Sequence, residues 1–151
     1  MKKIAKYGVI FLIIIILVGL PMYITISNDM IAKRTEKELK HTSLPENTEI
    51  IDSISIAGKL TGNGNGMQYF GAILIKTDLS EEELNNYYNQ YRENEWSFVV
   101  KKQDTSKIEV IEHGNYSFKK YNEKDKEKYY IIYSWGSSKN DLLFEFDLRG
   151  H

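Results

Sequence analysis

From Gly8 to Ile26 the chain carries no charged residue, and the run Val9-Ile10-Phe11-Leu12-Ile13-Ile14-Ile15-Ile16-Leu17-Val18 is apolar on every face of any helix it forms. At ~1.5 Å rise per residue a helix over Gly8 to Ile26 reaches ~28 Å, close to the ~30 Å hydrocarbon thickness of a bilayer. A core helix of a soluble domain shows one apolar stripe and a polar back, and this run has no polar back. The expectation is a transmembrane helix preceded by a short basic head of Lys2, Lys3 and Lys6.

A cleavable secretory signal shares the basic-then-apolar layout, but its apolar core runs roughly 7 to 15 residues and ends at a small-residue cleavage site. Here the run is longer, and its nearest imitation of such a site is Thr25-Ile26-Ser27. An uncleaved anchor is therefore expected, with release of a secreted domain after Ser27 as the alternative. The head has three lysines and no acid, whereas the far flank mixes Asp29, Lys33, Arg34, Glu36 and Lys37, which puts the amino terminus in the cytoplasm. The rest of the chain then faces outward. With no cysteine it has neither disulfides nor a lipoprotein attachment site, and packing must hold it together.

The chain beyond the anchor is long enough for one small domain. Formal net charge is −1, and taking away the three head lysines lowers it to −4, with acids and bases interspersed, so no basic face for nucleic acid is expected. Usage leans on Ile, Lys, Asn and Tyr, with Arg34, Arg92 and Arg149 the three arginines, a bias that suits an AT-rich bacterial genome.

Asn28 or Asp29 caps an expected helix from Met30 to about Lys40, with Ile31, Thr35 and Leu39 as a thin apolar stripe. It reads as a stalk continuing the membrane helix, or as a helix docked along one line, until Leu44-Pro45 stops it. Glu49 to Leu60 alternates as a half-buried strand, in which Ile50, Ile54 and Ile56 are apolar and Asp52 is out of pattern. Met67 to Lys76 is apolar on both faces, Tyr69, Gly71, Ile73 and Ile75 on one and Phe70, Ala72 and Leu74 on the other, as an interior strand is. Ser80 with Glu83, and Leu79 with Leu84, supply a capping box and staple for a helix to Tyr91. Its inward stripe is Leu84, Tyr87, Tyr88 and Tyr91. Further strands are predicted over Trp96 to Lys101, Ile108 to Ile111, Tyr116 to Phe118, Tyr129 to Trp135 and Leu142 to Leu148. Connectors are predicted over Lys119 to Lys128 and Gly136 to Asp141. The order α-β-β-α-β-β-β-β lacks regular βαβ alternation, so the fold class is α+β, a helix packed on an antiparallel sheet. The domains are 1–27, head and membrane helix; 28–43, stalk helix; and 44–151, the extracytoplasmic α+β domain.

Gly62-Asn63-Gly64-Asn65-Gly66 is the candidate contact loop, since its glycines let backbone N–H groups approach a ligand. It leads from strand to strand, however, whereas phosphate-binding loops lead into a helix, so a plain hairpin tip is the simpler expectation. No catalytic residue and no cofactor or metal site is assigned. His41, His113 and His151 share no ligand spacing, and Glu109, Glu112 and His113 alternate to opposite faces of a strand end. Tyr129 and Tyr130 are adjacent and cannot share a face, so some aromatic surface is expected to be exposed or at a sheet rim, where it suits sugars and peptides.

The stretch from Leu44-Pro45-Glu46-Asn47-Thr48 through Gly58 to Ala72 and the Leu79 to Tyr91 helix resembles small single-pass proteins of Gram-positive bacteria. That resemblance implies location and origin, and brings no activity or site with it. Two functional expectations stand. One is a membrane-anchored domain that meets the bilayer through residues 8–26 and binds an envelope protein or cell-wall polymer outside it. The other is an envelope hydrolase or transferase using carboxylates such as Asp52, Glu109 or Glu145.

Overall fold

A computed structural model describes residues 2–136 and 145–151, with side chains from residue 7 onward. Helix α1, Lys2–Ile14, runs through a π-helical turn, Ile15–Gly19, into α2, Leu20–His41. The backbone stays right-handed helical at both joins. The wide turn lies just ahead of Pro21, whose ring would otherwise press on the carbonyl four residues back and whose nitrogen donates nothing. Every side chain from Tyr7 to Tyr23 is exposed, and Ile24 is the first buried one. One helix is thus long and apolar enough to cross a membrane.

Beyond Ile24 the helix belongs to the domain. Its buried residues Ile24, Asn28, Ala32, Thr35, Glu36 and Leu39 recur every three or four positions and lie on one stripe, as a docked helix requires. Of the two expectations for this segment, a stalk or a helix docked along one line, the docked helix is the one present. Three of its stripe residues are polar, so the apolar spacing of Ile31, Thr35 and Leu39 traced only part of it. α2 ends at His41, just ahead of Pro45, with Thr42 extended and its N–H donated to Glu38 O at 3.1 Å.

Among the described residues four antiparallel strands form the sheet: β1, Glu49–Gly58; β2, Gln68–Lys76; β3, Val99–Lys102; and β4, Tyr129–Gly136, in the spatial order β1-β2-β4-β3. β2 is interior, as its two apolar faces predicted. Helix α3, Glu81–Tyr88, lies between β2 and β3, and its capping box is formed: Glu83 N donates to Ser80 Oγ, and Ser80 N to Glu83 Oε2 at 2.7 Å. The fold is therefore α+β, with an N-terminal apolar helix and a helix on an antiparallel sheet.

Both faces of the sheet are covered. On the helix side Ile73, Ile75, Val100 and Ile132 pack against Leu39, Leu84 and Tyr88. On the other side Phe70, Leu74, Ile131 and Tyr133 pack against Ile108, Ile111 and Phe118 from the long β3–β4 connection. This loop layer corrects two expectations. Ile108 to Ile111 and Tyr116 to Phe118 are not strands; the single Lys107–Ser117 bridge is the ladder there, and their apolar side chains act as a lid. Tyr129 and Tyr130 point to opposite faces and are both buried, 2% and 7% exposed, because both faces are covered at that end of β4.

A register shift between Ile50 and Asp52 in β1 sends Ile50 to the helix side and Ile54 and Ile56 to the loop side. Asp52, out of pattern in the sequence, closes the loop layer: Lys119 N and Lys120 N donate to its Oδ2 at 2.7 and 3.1 Å. The connector after it contains a 3-10 turn, Glu123–Lys128, tied to the sheet end by Lys76 and Asp125 at 3.0 Å. The turn predicted over 136–141 lies almost wholly outside the described residues, as does the start of the strand predicted over Leu142 to Leu148. The described end of the latter, from Glu145, is a turn leading into a 3-10 turn, Leu148–Gly150.

Candidate functional site

The end of the sheet nearest the β1–β2 hairpin opens into a cleft of about 500 Å³ on the loop side. Its floor is Tyr133 and Trp135 of β4. Phe70, on the same face of the neighbouring β2, packs against both, with ring centroids at 5.6 and 4.9 Å, the second edge to face. Lys101 enters from β3, Glu109 and Glu112 from the loop layer, and Thr61 and Gln68 from the hairpin.

Trp96 completes the cleft, and a backbone irregularity puts it there. Simple alternation of Trp96, Phe98 and Val100 would place all three on the helix side. Phe98 instead has φ 49°, a left-handed conformation uncommon outside glycine. Its N–H donates to Ser134 Oγ at 2.8 Å, and its carbonyl accepts from Arg92 Nη2 at 3.2 Å. Phe98 and Val100 stay on the helix side, while Trp96 turns out to the cleft, exposed, its carbonyl accepting from Trp135 N at 2.9 Å. The cleft thus brings together an exposed indole, a second aromatic platform, one cation and two carboxylates.

The glycine loop borders this cleft through its stems. Gly62 has φ 72° and Gly66 φ 144°, so these two positions need glycine; Gly64 does not. Glu112 accepts from Gly62 N at 2.7 Å, the His113 ring meets Gly62 O at 2.7 Å, and Gly66 N donates to Gly150 O at 2.7 Å. Asn63, Gly64 and Asn65 project as an exposed tip between these clamps. Glu112 and His113 therefore position the loop, and among the described residues no group of His, Asp and Glu gathers to hold a metal.

The named carboxylates separate in role. Asp52 is occupied by backbone amides, Glu145 accepts from Met67 N at 3.3 Å, and Glu109 alone of the three lines the cleft.

Two buried polar nodes fasten α2 to the domain, and neither was legible as a motif. Glu36, 2% exposed, accepts from Lys33 and from Ser53 Oγ at 2.6 Å, with Lys40 at 3.7 Å. Burial raises its pKa, and the Lys33 and Ser53 hydrogen bonds with the two lysine charges more than offset this, leaving it low. Nearer the apolar helix, Asn28 donates to Asp147 Oδ2 at 3.0 Å and accepts from Tyr69 Oη at 2.9 Å. Arg149 grips Asp147 through Nε and Nη2 at 3.0 and 2.7 Å, Asp29 through Nη1 at 2.8 Å, and the Thr25 carbonyl at 3.2 Å. The Arg149 bonds hold the Asp147 carboxyl down at about 2. Comparison with protein-family models, curated proteins and solved structures finds no match to this chain.

Proposed function

We propose that this is a single-pass membrane protein of a bacterial envelope, amino terminus in the cytoplasm, whose outward domain binds an envelope partner in the Trp96–Trp135 cleft. The carrying observation is the helix that is exposed on all sides from Tyr7 to Tyr23 and then passes without a break into the stripe packed on the sheet. Apolar side chains exposed all round a helix call for lipid. Continuity also argues against release after Ser27. That bond lies within α2, between buried Ile24 and buried Asn28, with Thr25 tied to Arg149. The basic head gives the orientation.

The anchor is tested by washing membranes with high salt and then alkaline carbonate. The chain should stay in the membrane fraction, because burial of the helix and not surface charge retains it. Recovery of a soluble fragment beginning near Asn28 would overturn the uncleaved anchor. Protease added to intact wall-less cells should cut the outward domain, and protection would reverse the orientation.

The cleft pairs flat apolar ring faces with hydrogen-bonding groups at its edge, a lining that suits a polar chain with apolar C–H faces such as a wall glycan. Trp96→Ala should lower retention of the detergent-solubilised protein on purified cell-wall polymer. Stability should stay within ~0.5 kcal/mol, since the ring is exposed. Equal retention by wild type and variant would remove the cleft from binding. The carboxylate-enzyme reading has weaker support, because Asp52 and Glu145 are held by backbone amides.

A further inference from the structure

The carboxyl-terminal strap, Glu145 to His151, is inside out. The alternation of Leu142, Phe144, Phe146 and Leu148 with Leu143, Glu145 and Asp147 in the predicted strand would turn Phe146 and Leu148 to the core and Asp147 to water. Instead Asp147 is buried, while Phe146 is 69% and Leu148 87% exposed. Scattered exposed apolar side chains are ordinary on a protein surface, but these two are held outward by a fixed segment. Asp147 Oδ1 accepts from Arg149 N at 3.1 Å to cap the 3-10 turn, Lys59 N donates to Arg149 O at 2.7 Å, and Gly66 N donates to Gly150 O at 2.7 Å.

The strap is also fixed at a particular level of the helix. Arg149 binds the Thr25 carbonyl and the Asp29 carboxylate, which are the end of the apolar run and the first charge beyond it. Counting ~1.5 Å per residue from Tyr7, a ~30 Å hydrocarbon layer ends near residue 27. Tyr7 and Tyr23 are both exposed, near the two ends of that span, where tyrosines favour the headgroup layer. Ile26 and Met30, one turn apart on α2, extend the exposed apolar surface to the same level.

We infer that Phe146 and Leu148 dock into the interfacial layer of the leaflet through which α2 leaves the membrane. The occupant of this surface is lipid, and the strap is a second membrane contact besides the helix. The Arg149 bonds to Thr25 and Asp29 set the strap at the end of the apolar run, which singles out the bilayer among possible partners. One helix leaves a domain free to tilt about it, whereas two contacts joined by the Arg149–Asp147–Asn28 node set which side of the domain faces the bilayer and which way the cleft opens. This inference rests on the membrane anchor of the proposed function.

Because the chain has no cysteine, single-cysteine spin labelling of the full-length protein is clean. Leu148→Cys and Phe146→Cys replace exposed side chains; Ile13→Cys reports the anchor and Lys120→Cys an aqueous position on the loop layer. Each labelled protein is placed in vesicles of phosphatidylethanolamine and phosphatidylglycerol, and label depth is read from relaxation by oxygen against a water-soluble nickel complex. The label at 148 or 146 should lie within ~5–10 Å of the headgroup–acyl boundary, the depth of interfacial side chains, with Ile13→Cys deeper and Lys120→Cys in water. Labels at 148 and 146 as water-exposed as that at 120, with the label at 13 in the core, would overturn the strap contact and leave the anchor standing. A water-exposed label at 13 would overturn both.

Discussion

Gly71→Ala should destabilise the full chain in detergent by about 3 kcal/mol or more, or prevent it from folding, the largest loss expected of any single methyl added to the domain. A Cβ at Gly71 would sit 2.7 Å from the Thr35 carbonyl carbon and 2.9 Å from Glu36 Cα. Both are backbone atoms of a helix that cannot step aside without leaving its stripe. Gly136 on the neighbouring strand is crowded by the Thr35 hydroxyl, so α2 rests on a shallow pocket made by two glycines of adjacent strands. That close approach brings Glu36 within reach of Ser53 and Asn28 within reach of Tyr69. Lifting the helix would therefore unpair buried polar groups as well as strip apolar contact. Gly64→Ala is the control: nothing lies within 4 Å of its added carbon and its φ is not positive, so stability should hold or rise slightly. Denaturant unfolding of the two variants measures the contrast, and a Gly71→Ala midpoint equal to that of Gly64→Ala would refute the close approach.

Gly71 also shows where sequence reading stops. Its place on a strand with two apolar faces is plain from Tyr69 to Ile75, and so is the interior position of β2. The reason for a glycine there is not plain, because the helix that touches it is distant in sequence and half its stripe is polar. Asn28 and Glu36 are buried because partners from β1, β2 and the strap converge on them, and Thr35, bonded to Ile31 O within its own helix, is buried against Gly136; pairing and packing over such separations leave no periodic trace. Capping is the opposite case. Ser80 and Glu83 meet within one turn, so local sequence suffices. The cleft divides in the same way. Aromatic alternation marks Tyr133 and Trp135, but Trp96 reaches them through the left-handed backbone at Phe98, a residue type that gives no sign of it. The loop layer has the sequence of strands, because buried apolar residues at alternate positions look alike whether a ladder or a lid holds them.

The second large effect concerns acid. Asp147 ordinarily titrates near 3.8 and is held at about 2 in the folded protein, first by the Arg149 side chain and further by Asn28. A carboxyl with a lowered folded pKa contributes its full stabilisation above the unfolded value and loses it as pH falls through the folded one. The contribution is roughly 2 kcal/mol at neutral pH, and it fades between about pH 4 and pH 2. Asp147→Asn keeps the shape and removes the charge. It should lower stability at neutral pH by about that amount and flatten the acid limb in this window relative to wild type. Other carboxylates titrate there too, so the difference between the two curves is the measurement. Parallel acid limbs would show that Asp147 is not the group holding the strap. If the strap is a membrane contact, the same substitution carries a geometric consequence. Arg149 keeps Asp29 and Thr25 but loses the carboxylate that orients it, so a spin label at 148 should lose its fixed depth in Asp147→Asn while a label at 13 keeps its own. Unchanged depth at 148 with reduced stability would confine the node to folding and separate it from the placement of the domain on the bilayer.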